Sequence, residues 1–336
     1  MSISLYLYSK ESPTKTSIEQ IIYPLGFKPV DESSGKLNYY WFKEENYESV
    51  RGVHLDILKA EQKDREIPRG TRTIFMATTY AGRCYEDIEM QNNVIRKLRS
   101  VFGGSVYNDD DGRYAYVTNY APRLSPAEKR CGFVYSRFNN NIIKAKMAAS
   151  DLDPHYFARK QFDEDLASLD RGLVTNNLVA VFLVSIFETF LKDLFISYIE
   201  THPNLQEKIF DRTSKLDFQT LKVLLAREKS IVEVEADYYN FQNIPSANAA
   251  YSAFLQINLF QLWRRKKKIG GKFYRIIELI EELIELRHNI IHKAYLKPEF
   301  DKAEVNKYLK AVESSSELIT DALEKKGFRI DLEKHL

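Results

Sequence analysis

The sequence predicts two architectures in one chain: an α+β N-terminal domain followed by an all-α antiparallel helical bundle. The apolar periodicity changes near residue 150, from short runs rich in β-branched and aromatic residues to long stretches with helical spacing. The length, 336 residues, also suits about two domains. With 44% apolar and 29% charged residues the chain can bury a sizeable core, and 13 glycines with 10 prolines exclude a collagenous or linker-dominated chain.

The first domain is expected over residues 1–140. Its strands are SLYLY near the start, LNYYWF at 37–42, VHLDIL at 53–58, RTIFMATTY at 72–80 and RYAYVTNY at 113–120. SIEQIIYPLGF offers Ser17 as an N-cap and Gly26 as a stop. Tyr85 to Phe102 places Ile88, Val94, Ile95, Leu98 and Phe102 at mostly helical intervals before Gly103-Gly104. Asp109-Asp110-Asp111-Gly112 then reads as a hairpin turn, and the whole suggests a split β-α-β arrangement.

Residues 141–169 form a charged linker or connecting helix, and 170–330 the bundle. Helices are expected at Leu173–Glu200, Phe218–Ala226, Ser246–Trp263 and Phe273–Tyr295. A last one opens at Asp301, with Glu304 placed for a capping box, and closes at Lys325-Lys326-Gly327. Short connections between long helices favour antiparallel neighbours.

Charge and cysteine narrow the function classes. Lys+Arg 49 against Asp+Glu 47 leaves +2, so no global basic field marks a sequence-independent DNA coat protein; the balance does not exclude an enzyme with a local RNA-binding patch. Two cysteines, Cys84 and Cys131, make neither a disulfide framework nor a CxxC zinc site. A reducing, cytoplasmic setting is expected. The N-terminus lacks a secretory h-region, and the most apolar stretch, Leu178–Phe187, is roughly half of what a bilayer-spanning helix needs, so no membrane association is expected.

One constellation carries chemistry. Arg287-His288-Asn289-Ile290-Ile291-His292 puts two of six histidines in one otherwise apolar helix. Polar groups this dense are costly if buried unpaired, so they must meet water, a partner or a ligand. Arg287 and His292 lie about 140° apart around a helix, flanking one edge, while His288 and His292 share a face. A guanidinium keeps its charge and forks onto phosphate, and an imidazole moves protons near neutral pH.

This arrangement resembles the HEPN superfamily, helical bundles marked by Arg-x(4–6)-His late in the domain. RHNIIH has the minimum spacing, His288 fits the polar position after the arginine, and FETFLKDL at 187–194 is similar to the acidic spot on the first long helix of such bundles. The resemblance covers roughly residues 170–326. It implies a metal-independent endoribonuclease, without cofactor, in which the 2′-hydroxyl attacks to leave a 2′,3′-cyclic phosphate and a 5′-hydroxyl. Arg287 would bind phosphate and His292 would transfer protons, with His288, Glu188 and Asn289 in support. It further implies a homodimer, RNA such as tRNA as substrate, a toxin or anti-phage role, and an antitoxin or phage-derived trigger as a further partner.

Other readings stand beside it. Arg287 pairs with Glu282 or Glu285, and Glu188 with Lys192, if these residues are only structural. A HEPN-like domain can also serve as a non-catalytic dimerisation or nucleotide-sensing module. Glu285, His288 and His292 share a helix face and could contribute to a metal-dependent site, short of a ligand from elsewhere. Trp263-Arg264-Arg265-Lys266-Lys267-Lys268, with Lys272 and Arg275, is the strongest basic cluster and suits an RNA backbone, with Trp263, Phe273 and Tyr274 as stacking surfaces. Gly270-Gly271-Lys272 lacks the rest of a P-loop. Glu61-Gln62-Lys63, with Asp56 or Asp31, is a faint nuclease-like Glu-x-Lys that a polar strand end explains better.

Overall fold

The computed structural model describes residues 2–30, 37–43, 47–60, 67–210 and 217–335. They divide into two compact units, Met1–Lys129 with Leu332–Leu336, and Arg130–Asp331. Glu61-Gln62-Lys63 and Asp31 lie outside the described residues.

The first unit is built from β1 (Ile3–Ser9), α1 (Lys15–Ile22), β2 (Lys28–Pro29), β3 (Leu37–Trp41), β4 (Val53–Lys59), β5 (Thr73–Thr79), α2 (Tyr85–Phe102) and β6 (Ser105–Asn108). The strands form one sheet in the order β2-β3-β4-β5-β1-β6, every neighbouring pair antiparallel. β5 and β6 both run antiparallel to β1 between them, so β5-α2-β6 is a split β-α-β unit. Alternation along the strands sends Leu5, Leu7, Val53, Leu55, Phe75 and Ala77 to one face, where they join Ile18 and Ile22 of α1 and Val94, Ile95 and Leu98 of α2 in the core.

Two local expectations change. Thr14, not Ser17, caps α1, its side chain accepting from the Ser17 amide. RYAYVTNY forms no strand: the turn closes only an Asn108–Arg113 bridge. The backbone of Val117 instead bonds both ways to the buried Asn92 side chain, at 2.9 and 3.1 Å, so a helix side chain satisfies what a strand partner would have.

Asp87 holds the other end of α2. Its buried carboxylate accepts from Ser49 Oγ (2.6 Å) and from the amides of Val50, Arg51, Gly52 and Cys84. Gly52 in this turn has φ 70°, and a Cβ there would meet the Trp41 carbonyl at 2.4 Å.

The second unit starts inside α3 (Pro126–Ala148), ahead of the expected break at 140. The reason is packing: Cys131, Val134, Tyr135, Phe138, Ile142 and Ala145 of α3 belong to the helical core. The segment expected as a connection is folded, with α4 (Tyr156–Phe162) and α5 (Glu164–Ser168) leading to Asp170, which caps α6 (Arg171–Glu200) through the Leu173 amide. Then follow α7 (Pro203–Phe210), α8 (Phe218–Leu225), α9 (Ile231–Asp237), α10 (Ile244–Ala250) and α11 (Leu259–Trp263). A hairpin of β7 (Lys266–Ile269) and β8 (Lys272–Arg275) precedes α12 (Ile276–Lys293) and α13 (Lys302–Glu324), and α14 (Leu332–His335) belongs to the first unit. α12 packs against both α6 and α13.

The single helix expected over 246–263 is broken. Tyr251–Leu255 form a π turn, Gln256 adopts φ 55°, and Asn258 caps α11. Tyr251 Oη donates to the Leu191 carbonyl at 2.8 Å and the Leu259 amide to Asn248 Oδ1 at 2.8 Å, which anchors both sides of the break. Asp301 caps α13 as expected through the Glu304 amide, but Glu304 binds Lys297 and Lys307 rather than closing a capping box. No described helix is long and apolar enough to cross a membrane.

Asp87→Asn would turn an amide N–H₂ toward backbone donors and leave them unsatisfied. The expected outcome is a loss of about 1–3 kcal/mol in stability, read from urea unfolding of the full chain.

Candidate functional site

α12 is buried along Ile276, Ile277, Leu279, Ile280, Leu283 and Leu286. Beyond Leu286 it emerges from the core: Arg287, Asn289 and Ile290 are half-buried, and His288, Ile291, His292 and Lys293 are exposed. The motif therefore occupies the last two turns, where one helix end meets solvent. Cationic side chains in that last turn also suit the negative end of the helix dipole.

The helix end is fixed from two sides. Ala294 closes it at φ 50°, its amide donating to the Asn289 carbonyl, which also takes the Tyr295 amide at 3.3 Å. The following loop is held by two fully buried asparagines of α6. Asn177 accepts the Lys297 amide at 2.8 Å and donates to its carbonyl, and Asn176 bridges Ser150 to the Phe300 carbonyl.

Arg287 has no counterion among the described residues. Its Nε–H is buried without an acceptor, and among the described residues no ion pair joins it to a carboxylate. Glu282, one structural partner offered for it, accepts the Tyr308 hydroxyl at 3.2 Å instead. His288 and His292 stand beside it as an exposed pair, ring centroids 4.6 Å apart and tilted 43°. The set combines a forked cation, unpaired among the described residues, with two solvent-facing imidazoles, which suits binding a phosphate-like anion and moving a proton at it.

The expected supporting residues separate. Glu188 accepts from Gln242 Nε2 at 2.5 Å, and Lys192, its alternative partner, pairs with Asp237 at 2.7 Å. Among the hydrogen bonds of the described residues none joins Glu188 to Arg287, His288 or His292. Asn289 contributes its carbonyl to the helix end. Among the described residues no three His, Cys, Asp or Glu side chains group so as to hold a metal ion, so Glu285, His288 and His292 do not form such a set. A cavity of about 490 Å³ lies elsewhere, lined by Asp217, Thr220, Glu228, Lys229, Asp237 and Tyr238, and no motif residue borders it.

The basic run is a β-hairpin. Gly270 (φ 55°) and Gly271 (φ 86°) make its two-residue turn. Pairing sets its faces: Lys266 opposes Arg275 and Lys268 opposes Phe273, whereas Lys267 opposes Tyr274 and Ile269 opposes Lys272. Ile269 and Tyr274 pack on the bundle and Lys267 pairs with Glu317 at 2.6 Å, so that face points inward. The outer face carries Lys266, Lys268, Arg275 and a 69% exposed Phe273. Arg264, Arg265 and Lys272 are exposed as well. Gly-Gly between KKKI and KFYR is the sequence signal that marks this hairpin.

Trp263 is not a stacking surface. It is fully buried, 5.6 Å from the Phe187 ring, and its indole N–H donates to the Ser315 carbonyl at 3.3 Å. Trp263→Ala is therefore expected to cost about 3–5 kcal/mol of stability in denaturant unfolding, as loss of a large core side chain. Compared with known protein families, curated proteins and solved structures, the chain matches none.

Proposed function

We propose that the helical unit is a HEPN-like metal-independent endoribonuclease whose reaction centre is Arg287 with His292. The observation that supports this reading most is Arg287 itself, a half-buried guanidinium whose Nε–H has no acceptor, standing beside two exposed imidazoles. Arg159, whose Nε–H also lacks an acceptor, is paired with Asp153 and Asp170, whereas no ion pair joins Arg287 to a carboxylate among the described residues.

The chemistry follows from the groups. Arg287 forks onto the non-bridging oxygens of the scissile phosphate and offsets charge that grows as the 2′-oxygen attacks. His292 takes the 2′-hydroxyl proton or protonates the departing 5′-oxygen, and His288 serves the complementary role or orients the phosphate. The P–O5′ bond breaks, leaving a 2′,3′-cyclic phosphate and a 5′-hydroxyl. DNA lacks the attacking hydroxyl, so the substrate class is RNA.

The outer hairpin face, with Lys266, Lys268 and Phe273, together with Arg264, Arg265 and Lys272, is the RNA grip; Lys267 is engaged with Glu317. A homodimer through the bundle would bring two motif sets into one cleft. The biological reading is a cytoplasmic conditional RNase, a toxin or anti-phage effector acting on tRNA under an antitoxin or phage-derived trigger. That role rests on the HEPN resemblance of RHNIIH.

The test is cleavage of total tRNA and of a generic RNA by the full chain in EDTA. Cleavage is expected to persist in EDTA and to leave cyclic-phosphate ends. Arg287→Ala and His292→Ala should each slow it by about 10²-fold or more. Cleavage that survives both substitutions, or that requires added metal, would overturn the assignment.

A further inference from the structure

The sheet of the first unit has a second face that takes no part in its core. Alternation opposite Leu5, Leu7 and Phe75 brings Tyr6, Tyr8, Tyr107, His54 and Tyr40 to this side, and none of them belongs to the core cluster under α1 and α2. They gather in two aromatic groups. At the β1–β6 edge the Tyr6 and Tyr8 rings lie parallel, 6.0 Å apart, and Tyr107 sits 6.4 and 6.5 Å from them. Three strands away, Tyr40 lies 4.5 Å from His54 and 6.2 Å from Phe42, with parallel planes in the second pair. Three inter-strand steps separate β1 from β3, about 14 Å.

Polar groups lie between the two. Ser4 and Thr78 share a hydroxyl hydrogen bond at 3.0 Å, and Asp56 sits across from Met76 with its carboxyl pushed up by burial. Cations border the face. Lys28 is paired in register with Tyr40, and Lys10 and Arg72 stand one residue beyond the Ser9–Thr73 pair, at the Tyr8 end. All three are exposed, and none has an ion-pair partner among the described residues. Asp109, near Tyr6 and Tyr8, is an acidic neighbour at the β1–β6 edge.

We propose that this face is a binding platform for a single polynucleotide strand, stacking unpaired bases on Tyr6, Tyr8 and Tyr40 while Lys10, Arg72 and Lys28 take the phosphates. Aromatic faces are sequence-tolerant base partners, and Asp56 offers an acceptor to the exocyclic amine of a base lying between them. Exposed cations at the rim, without ion-pair partners among the described residues, suit a polyanion rather than a sugar or a neutral protein surface. The site is independent of Arg287, so it stands or falls apart from the nuclease reading.

The probe is a 5′-fluorescein-labelled single-stranded deoxyoligonucleotide, titrated with the full chain and read by fluorescence anisotropy. Lacking a 2′-hydroxyl, it reports binding without the proposed cleavage. Tyr6→Ala, Tyr8→Ala and Tyr40→Ala are each expected to weaken binding about tenfold. Tyr8→Phe should bind like the wild type, and Lys10→Glu with Arg72→Glu should weaken binding and flatten its salt dependence. A duplex of the same sequence should compete poorly. The proposal is overturned if the wild type does not bind, if the alanine variants bind unchanged, if Tyr8→Phe loses as much as Tyr8→Ala, or if the duplex competes equally.

Discussion

A thirty-residue helix that is apolar on most sides cannot face water, and the helical unit is organised around that constraint. More than half of α6 is buried, and α3, α9, α12 and α13 supply its walls. Covering so much apolar surface is the dominant favourable contribution to this unit. It also decides where polar groups can go. The two fully buried polar residues Asn176 and Asn177 have their amide groups bonded to backbone of α6 or of the segments at 150 and 297–300. In this way the central helix determines both the core and the position of the loop after the motif.

Arg287 departs from that economy. Elsewhere along α12 the buried positions are aliphatic, and the exposed ones are charged or polar apart from Ile291. A buried donor left without an acceptor costs about 1–3 kcal/mol, and a folded chain tolerates few of them. A buried donor without an acceptor beside two exposed histidines supports the proposed reading of a site kept for a ligand rather than for stability. Among the described residues neither Glu282 nor Glu285 forms an ion pair with it, and Glu282 accepts the Tyr308 hydroxyl instead.

Much of this was legible in the sequence because it rests on local periodicity. β1, β3, β4, β5, α2, α6 and α13 fall close to where strand alternation, helical spacing and capping residues put them. What escaped depended on long-range partners. Val117 is held by Asn92 from another element, so an apolar run with strand composition forms no strand. Lys266–Arg275 form a hairpin because Ile269 and Tyr274 find the bundle, which charge counting does not reveal. Trp263 looked available because its neighbours are basic, yet its burial is decided by Phe187 and Ser315, more than fifty residues away on either side. For the candidate site, the i, i+4 spacing in RHNIIH put His288 and His292 on one face, and their rings stand 4.6 Å apart. Glu188 could not be assigned that way, since its partner Gln242 is distant in sequence.

The most direct measurement is the unfolding free energy of Arg287→Met, taken together with its RNA cleavage. Methionine keeps an apolar stem in the same place and removes the unpaired guanidinium. If Arg287 is held for an anion, the variant will be as stable as the wild type or more stable, by up to about 1–3 kcal/mol, and will not cleave RNA. A variant that loses that much stability yet still cleaves would mean that Arg287 is structural, and the reaction centre would have to be sought elsewhere.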